Sequence, residues 1–204
     1  TTKKPKIMTE LFRKKFLIPT TRLAGYDYGQ PGYYFITICT KGRFCYFGEI
    51  LNDKMMLNDV GKIVQNELLK TPKIRRNVKL DDWIIMPNHI HAIIHIDDTV
   101  VKTRNDVETH CNASLRANRA DDSESYKNKF GPQHNNLSSI VRGFKGATTK
   151  IINERFNRDY FAWQPRFYDH IIRTEKSYNG IQWYIQTNPE RWDRDRNNPE
   201  GIMM

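Results

Sequence analysis

The sequence is poor in cysteine, with three in 204 residues, and it has no apolar run long enough to span a membrane. Cys39, Cys45 and Cys111 form no CxxC pair, so the pattern indicates neither a disulfide framework nor a thiolate zinc site. The basic start of the chain lacks the apolar core of a signal peptide. We therefore expect a globular protein without membrane contact, in the reducing cytoplasm.

Acidic residues are outnumbered, with 23 Asp and Glu against 33 Lys and Arg, a net charge of +10 and a pI near 9.5. Such a balance favours a polyanionic partner. Residues 1–30 carry seven cations and two acids, so we interpret 1–32 as a basic N-terminal arm, with a solvated tail as the alternative. Elsewhere aromatic residues alternate with basic ones, which is typical of surfaces that bind single-stranded nucleic acid.

Hydrophobic periodicity predicts strands and helices across residues 33–192, which we interpret as one domain. Strands are expected at 33–40, 78–86, 89–96 and 166–172, and 44–50 and 160–164 are either short strands or irregular. Helices are expected at 58–69, from 137 through 151, and at 176–188; Asn58 or Asp59 caps the first, and Pro72 follows its end. This order predicts an α+β fold, with a ferredoxin-like antiparallel sheet and helices on one face.

Two segments lack periodicity. Residues 97–136 are polar and highly charged, and we expect a long, mobile insert there. Residues 193–204 are expected to form a polar, loosely held C-terminal tail.

His89 and His91 are the first candidates for chemistry. Residues two apart on a strand point to the same face, so both imidazoles can bind one metal ion, although packed or solvent-facing histidines are the alternative. His95 has the same parity but lies roughly 13 Å further along the strand, beyond reach of that ion. A hydrolytic zinc site of the HxHxDH type would require an aspartate at Ile93, so it is disfavoured.

Tyr184 and Asn188 are the second candidates. They are four residues apart and therefore share a helix face, at the edge of an apolar stripe formed by Tyr178, Ile181 and Ile185. From the residues alone, an ordinary half-buried tyrosine remains the alternative.

Four segments together resemble the REP-associated tyrosine transposases, relatives of the single-tyrosine HUH transposases. The resemblance covers about residues 25–96 and 137–192, in matching order. Its segments are Tyr34-Phe35-Ile36-Thr37-Ile38-Cys39-Thr40, Trp83-Ile84-Ile85-Met86-Pro87-Asn88-His89-Ile90-His91, Trp163-Gln164-Pro165-Arg166-Phe167-Tyr168-Asp169-His170-Ile171-Ile172-Arg173 and Tyr184-Ile185-Gln186-Thr187-Asn188-Pro189.

The resemblance implies roles for single residues. His89 and His91 fall on the HUH histidines, which bind Mg²⁺ or Mn²⁺, and Tyr184 falls on the nucleophile. Asn188 falls on a third metal ligand, although it can instead cap the helix end at Pro189. The implied reaction cleaves and rejoins hairpin-bearing single-stranded DNA through a 5′-phosphotyrosine. The enzyme would act at the nucleoid, as a monomer or a homodimer.

Basic residues are the candidate DNA contacts: Arg13, Lys14, Lys15, Arg142, Lys145, Arg166 and Arg173, with Lys150 beside them. A solvated helix face is the alternative for Lys145 and Lys150. We also expect Trp163, Arg166, His170 and Arg173 near the site, with a core histidine as the alternative for His170. Two other functions remain open. One is a non-cleaving nucleic-acid-binding protein, although the RNP pattern of an RRM is missing, and the other is a phosphodiesterase that uses water.

Overall fold

The computed structural model describes residues 22–23, 26–97, 136–156, 160–199 and 201, and the backbone of 11–12 and 15–16. The two short segments are β1 (Leu11–Phe12) and β2 (Lys15–Phe16), which pair antiparallel. Arg13, Lys14 and the side chain of Lys15 lie outside the described residues, as does the expected insert from 98 to 135. Within the described ranges, no helix is long and apolar enough to cross a membrane.

Four antiparallel strands form the central sheet, in the order β6-β7-β3-β8. They are β3 (Gly32–Cys39), β6 (Val78–Ile85), β7 (His89–Ile96) and β8 (Tyr168–Ile172). The β-branched and aromatic runs of the sequence favour strands at these positions. β6 pairs antiparallel with β7, and the predicted α+β class with an antiparallel sheet is confirmed.

A small hairpin follows β3 and a short 3₁₀ turn, Lys41–Arg43. It consists of β4 (Gly48–Leu51) and β5 (Lys54–Leu57). The strand alternative for 44–50 is met in part by β4, and the sequence predicts no strand at β5. Asn52 and Asp53 both have positive φ, which matches the two-residue turn that suits the twist of a hairpin.

Three α-helices complete the described part of the fold: α1 (Asp59–Ile74), α2 (Leu137–Arg155) and α3 (Glu175–Gln186). The predicted cap of α1 is confirmed, because the Asn58 side chain accepts a hydrogen bond from the Gly61 amide. Its predicted end is wrong, because Pro72 lies inside the helix. The amide of Arg75 still bonds to the carbonyl of buried Thr71, so the last turn stays helical past the proline.

The two faces of the sheet are covered differently. Ile90, Ala92, Ile94 and Ile96 of β7 point into a large apolar core with α1 and α2. On the other face, Ile93 packs in a small cluster with α3. We expected helices on one face; α1 and α2 do share a face, and α3 lies on the opposite one. The reason is that both faces of β3 and β7 are buried and therefore both need a cover.

Candidate metal and tyrosine site

His89 and His91 project from β7 toward the α3 side of the sheet, as strand alternation requires. Both side chains are buried, with 0% and 1% of their surface exposed. Their Nε2 atoms lie 3.0 Å apart, so the two imidazoles converge on one point. Phe35 stacks beside His91 and Trp192 beside His89, which leaves the rings little freedom to turn away.

Asn88 determines which nitrogen of His89 carries the proton. Its Nδ2 donates to the carbonyls of Arg43 and Asn197, so its Oδ1 faces Nδ1 of His89, at 2.8 Å. That oxygen accepts, so Nδ1 of His89 donates and Nε2 of the neutral ring holds the lone pair. The hydroxyl of Thr37 lies 2.9 Å from Nδ1 of His91 and orients the second ring in a similar way. Such partners behind a histidine ligand are typical of metal sites.

Tyr184 reaches the histidines from α3. Ile185 is buried against the sheet, and Tyr184 lies at the edge of the same small apolar cluster. Its hydroxyl is 3.2 Å from Nε2 of His91, within a single chain. Tyr184 and His91, which are 93 residues apart in sequence, are therefore in direct contact.

Asn188 lies just beyond the end of α3 and is 1% exposed. Its Oδ1 is buried and has no hydrogen-bond partner in the described part of the chain. A buried acceptor without a partner costs free energy, so this oxygen is suited to bind a donor group or a cation. The predicted role of Asn188 as a metal ligand stays a prediction.

Asp195 is a site residue that sequence reasoning missed. One carboxylate oxygen lies 3.8 Å from Nε2 of His89, and the donor atoms of His89, His91 and Asp195 are all within 4.8 Å of one another. The sequence predicts a loosely held tail from 193 onward, whereas Asp195, Asn197 and Asn198 are buried and therefore hold the chain at 195–198 against the domain. A 3₁₀ helix, Pro189–Arg194, leads the chain from α3 back over His89.

Burial controls the protonation of the site. It lowers the pKa of His89 to about 4, against the opposing charge of Asp195. It also holds the pKa of His91 well below its usual value, and the charge of His89 adds to this effect. Both imidazoles are therefore neutral near pH 7, which is the form that binds metals. Burial and the charge of Asp195 raise the pKa of Tyr184, whereas hydrogen bonding by Asn188 lowers it.

The donor set fits a divalent cation. Two neutral imidazoles direct their Nε2 atoms to one point, Asp195 adds a carboxylate, and Asn188 offers a buried oxygen that lacks a partner among the described residues. A cation at this point would also lower the pKa of the Tyr184 phenol, which burial alone raises.

The predicted DNA contacts lie in different places. Arg142 and Lys150 are exposed on α2 and border a groove of about 760 Å³, which Arg22, Trp163 and Phe167 also line. Lys145 lines it too, but its ammonium donates to the main-chain carbonyls of Gln164 and Pro165. Arg166 is exposed before β8. These assignments stay predictions.

Two residues expected near the site are elsewhere. Trp163 is buried in the large core and donates to Thr148. Arg173 follows Ile172, which pairs with Tyr33, whereas His89 pairs with Cys39 at the other end of β3. Six residues of strand separate those positions, roughly 20 Å. His170 is exposed on β8, so the core alternative is wrong.

Two other cations lie close to the histidines. A guanidinium nitrogen of Arg43 donates to the carbonyl of Arg196 at 2.7 Å, and the guanidinium of Arg196 lies 5.8 Å from the Tyr168 ring. Both charges lower the pKa of His89. No spacing in the sequence connects these arginines or Asp195 with the His-Ile-His pair.

The chain is similar to an uncharacterized protein of Haemophilus influenzae, at 39% identity over 176 residues that cover 86% of this chain and 89% of that one. No protein-family model matches the chain. Among solved structures, it resembles a REP-associated tyrosine transposase bound to a REP hairpin, with a TM-score of 0.50 and 18% identity. The match covers 85% of this chain and 74% of the other.

Proposed function

Because this chain belongs to one family with the Haemophilus influenzae protein and has the fold of a REP-associated tyrosine transposase, we propose that it is a DNA strand-transfer enzyme. It would cleave and rejoin single-stranded DNA with Tyr184 as the nucleophile. One observation carries the proposal: the Tyr184 hydroxyl lies 3.2 Å from Nε2 of His91, whose other neighbour is Nε2 of His89.

The substrate we propose is single-stranded DNA that contains a hairpin, in the cytoplasm at the nucleoid. The structurally similar transposase was solved with a REP hairpin, and this chain carries a net charge of +10. One chain supplies Tyr184 and both histidines, so the proposed site needs no residue from a second copy.

Four residues would hold a divalent cation: His89, His91, Asp195 and Asn188. When bound, Mg²⁺ or Mn²⁺ would draw charge from a phosphate oxygen and favour the phenolate form of the tyrosine. Two imidazole ligands suit Mn²⁺ better than Mg²⁺. Asn88 and Thr37 would keep both ligand nitrogens directed inward.

The reaction exchanges one phosphorus–oxygen bond for another. The Tyr184 oxygen bonds to phosphorus, and the bond from phosphorus to the 3′-oxygen of the neighbouring nucleotide breaks. The phenol loses its proton, and the departing 3′-oxygen gains one. The products are a 5′-phosphotyrosine and a free 3′-hydroxyl. Because the covalent link conserves the bond, a second 3′-hydroxyl can reverse the step and join new ends.

The basic groove would guide the DNA backbone, with Arg142 and Lys150 as its cations. Replacing both with alanine should weaken DNA binding and flatten its dependence on salt by about 0.7 in the log–log slope for each lost phosphate contact. Lys62→Ala, at an exposed cation on α1, is the matched control. An unchanged slope in the double variant would remove the groove from the proposal.

A denaturing gel tests the chemistry directly. Labelled hairpin DNA with Mn²⁺ or Mg²⁺ should give a covalent protein–DNA adduct with the natural protein, and none with Tyr184→Phe. Tyr160→Phe removes a phenol hydroxyl from an exposed ring away from the site, and it should leave the adduct intact. Binding without cleavage would favour a non-cleaving DNA-binding protein, and cleavage that survives Tyr184→Phe would identify water as the nucleophile.

A further inference from the structure

Two consecutive acids of β6, Asp81 and Asp82, contact α3 on the same side of the sheet as the histidines. We propose that these acids form a clamp that sets the rotation of α3 and thereby positions Tyr184. This inference rests on the proposed function only in naming what the position is for. Asp81 and Asp82 touch none of the reacting groups, so they are positioning residues.

The clamp depends on an irregularity in β6. Leu80 pairs with Ile94 and Trp83 with Ala92, so β6 uses one residue more than β7 between these pairs, which is a β-bulge. Leu80 and Trp83 both pack against the large core, although strict alternation would put residues three apart on opposite faces. The extra residue allows both Asp81 and Asp82 to reach α3 on the opposite face.

Three hydrogen bonds join the acids to the helix. The hydroxyl of Tyr178 donates to Asp81 at 2.5 Å, and the amide of Gln182 donates to Asp82 at 2.6 Å. The amide of Gln186 donates to the other oxygen of Asp82 at 3.3 Å. The three donors are four residues apart, so they form one row along three turns of α3. The bond to Asp81 also raises the pKa of Tyr178, which keeps its hydroxyl a donor.

Apolar packing alone holds α3 weakly. Ile185 is its one fully buried side chain, and Tyr178, Ile181 and Tyr184 of the helix are only partly buried against the cluster. Within the described part of the chain, that cluster contains three further buried residues, Phe35, Ile93 and Ile172. A helix on so narrow a stripe can roll about its axis. The bonds to Asp81 and Asp82 resist that roll.

The position of Tyr184 makes such a roll consequential. At about 100° per residue, Gln182 and Tyr184 lie on opposite flanks of α3, with Ile181 and Ile185 between them. Side chains extend about 5–6 Å from a helix axis, so a roll of about 10° moves the tyrosine by about 1 Å. A misplacement of about 1 Å can cost about a hundredfold in rate.

A reciprocal exchange of charge tests the clamp. Gln182→Glu sets two carboxylates against each other and should loosen α3. Adding Asp82→Asn restores the bond with donor and acceptor reversed, because the introduced amide would donate to the introduced carboxylate and still accept from Gln186. Asp97→Asn is the matched control for Asp82→Asn. It makes the same chemical change at the end of β7, where Asp97 pairs with Lys79 of β6.

The first measurement is the rate of covalent adduct formation at saturating hairpin DNA. Gln182→Glu should lower this rate by about ten- to a hundredfold. The DNA concentration for half-maximal rate and the binding of Mn²⁺ should stay unchanged, because the metal ligands and the groove are untouched. The double variant should recover most of the rate. Equal rates in all variants, or a loss in Gln182→Glu that Asp82→Asn does not repair, would overturn the clamp.

The second measurement needs no activity. Amide hydrogen exchange over residues 175–186 should be faster in Gln182→Glu than in the natural protein, and the double variant should restore the natural rate. Exchange in β3 should stay unchanged in both variants. If the natural protein forms no adduct, the proposed function fails, and the exchange pattern still decides whether the clamp holds α3. Unaltered exchange in Gln182→Glu would overturn the clamp even if the adduct forms.

Discussion

The two faces of β7 differ in what they bury. One face joins a core of 22 buried apolar residues with α1 and α2, and the other joins a cluster of four beneath α3. The α3 face instead buries His89, His91 and Thr37, together with Asn88 and Asp195 from outside the strands. Burying polar groups is costly. The face toward α1 and α2 therefore stabilises the fold, whereas the polar groups of the site on the α3 face lower its stability.

The largest effect should come from comparing one substitution on each face of β7. His91→Ala removes one of two convergent nitrogens, so metal binding and adduct formation should fall by at least about a hundredfold, with the fold intact. Ile94→Ala, three residues along the same strand, should lower the free energy of unfolding by about 2–5 kcal/mol while the folded fraction still reacts. Calorimetric Mn²⁺ titration, the adduct gel and urea unfolding separate the two outcomes.

The division of labour would be refuted if Ile94→Ala abolished metal binding in protein that remains folded. It would also be refuted if His91→Ala kept the metal affinity of the natural chain. Ile94 is 3% exposed and its side chain has no polar atom, so its replacement touches the site only through stability.

A smaller effect should come from the segment that closes the α3 face. Asp195→Asn keeps the shape of the side chain but removes its charge, so Mn²⁺ affinity should fall by about tenfold while both histidines still converge. Asp193→Asn makes the same change at an exposed position of the same segment and serves as the control. If both variants bind Mn²⁺ as the natural protein does, Asp195 contributes no ligand.

The sequence predicted most clearly what depends on local spacing. Alternation along β7 placed both histidines on one face and their isoleucine neighbours in the core, and the four-residue step placed Tyr184 and Asn188 at one end of α3. Each of these features follows from the geometry of a single strand or helix.

Features that depend on the path of the chain in space were not predictable in this way. Asp195 meets His89 only because the chain turns back after α3, and polar residues there resemble a tail. The bulge at Asp81 and Asp82 shifts the face of two residues without leaving a mark in the hydrophobic pattern. Likewise, the burial of both sides of β3 leaves open which helix covers which side.

The smallest effect should be the part of the pH dependence of stability that His89 contributes from the α3 face. In the folded, metal-free protein the pKa of His89 is lowered to about 4, whereas an unfolded histidine titrates near about 6.5. Below that value the unfolded chain binds more protons, so the contribution of His89 to stability is complete above about pH 6.5 and is lost as pH falls toward 4.

Comparing variants at several pH values isolates this contribution from that of the carboxylates. The difference in unfolding free energy between the natural protein and His89→Gln should shrink by about 1 kcal/mol per pH unit from about pH 6.5 downward. Ile94→Val should lower the free energy of unfolding by the same amount at every pH, because it changes no titratable group. Urea unfolding with a chelator at about pH 7, 6 and 5 measures both. A constant difference for His89→Gln would mean that its ring is not held neutral by burial, and the contrast between the faces would then reduce to packing alone.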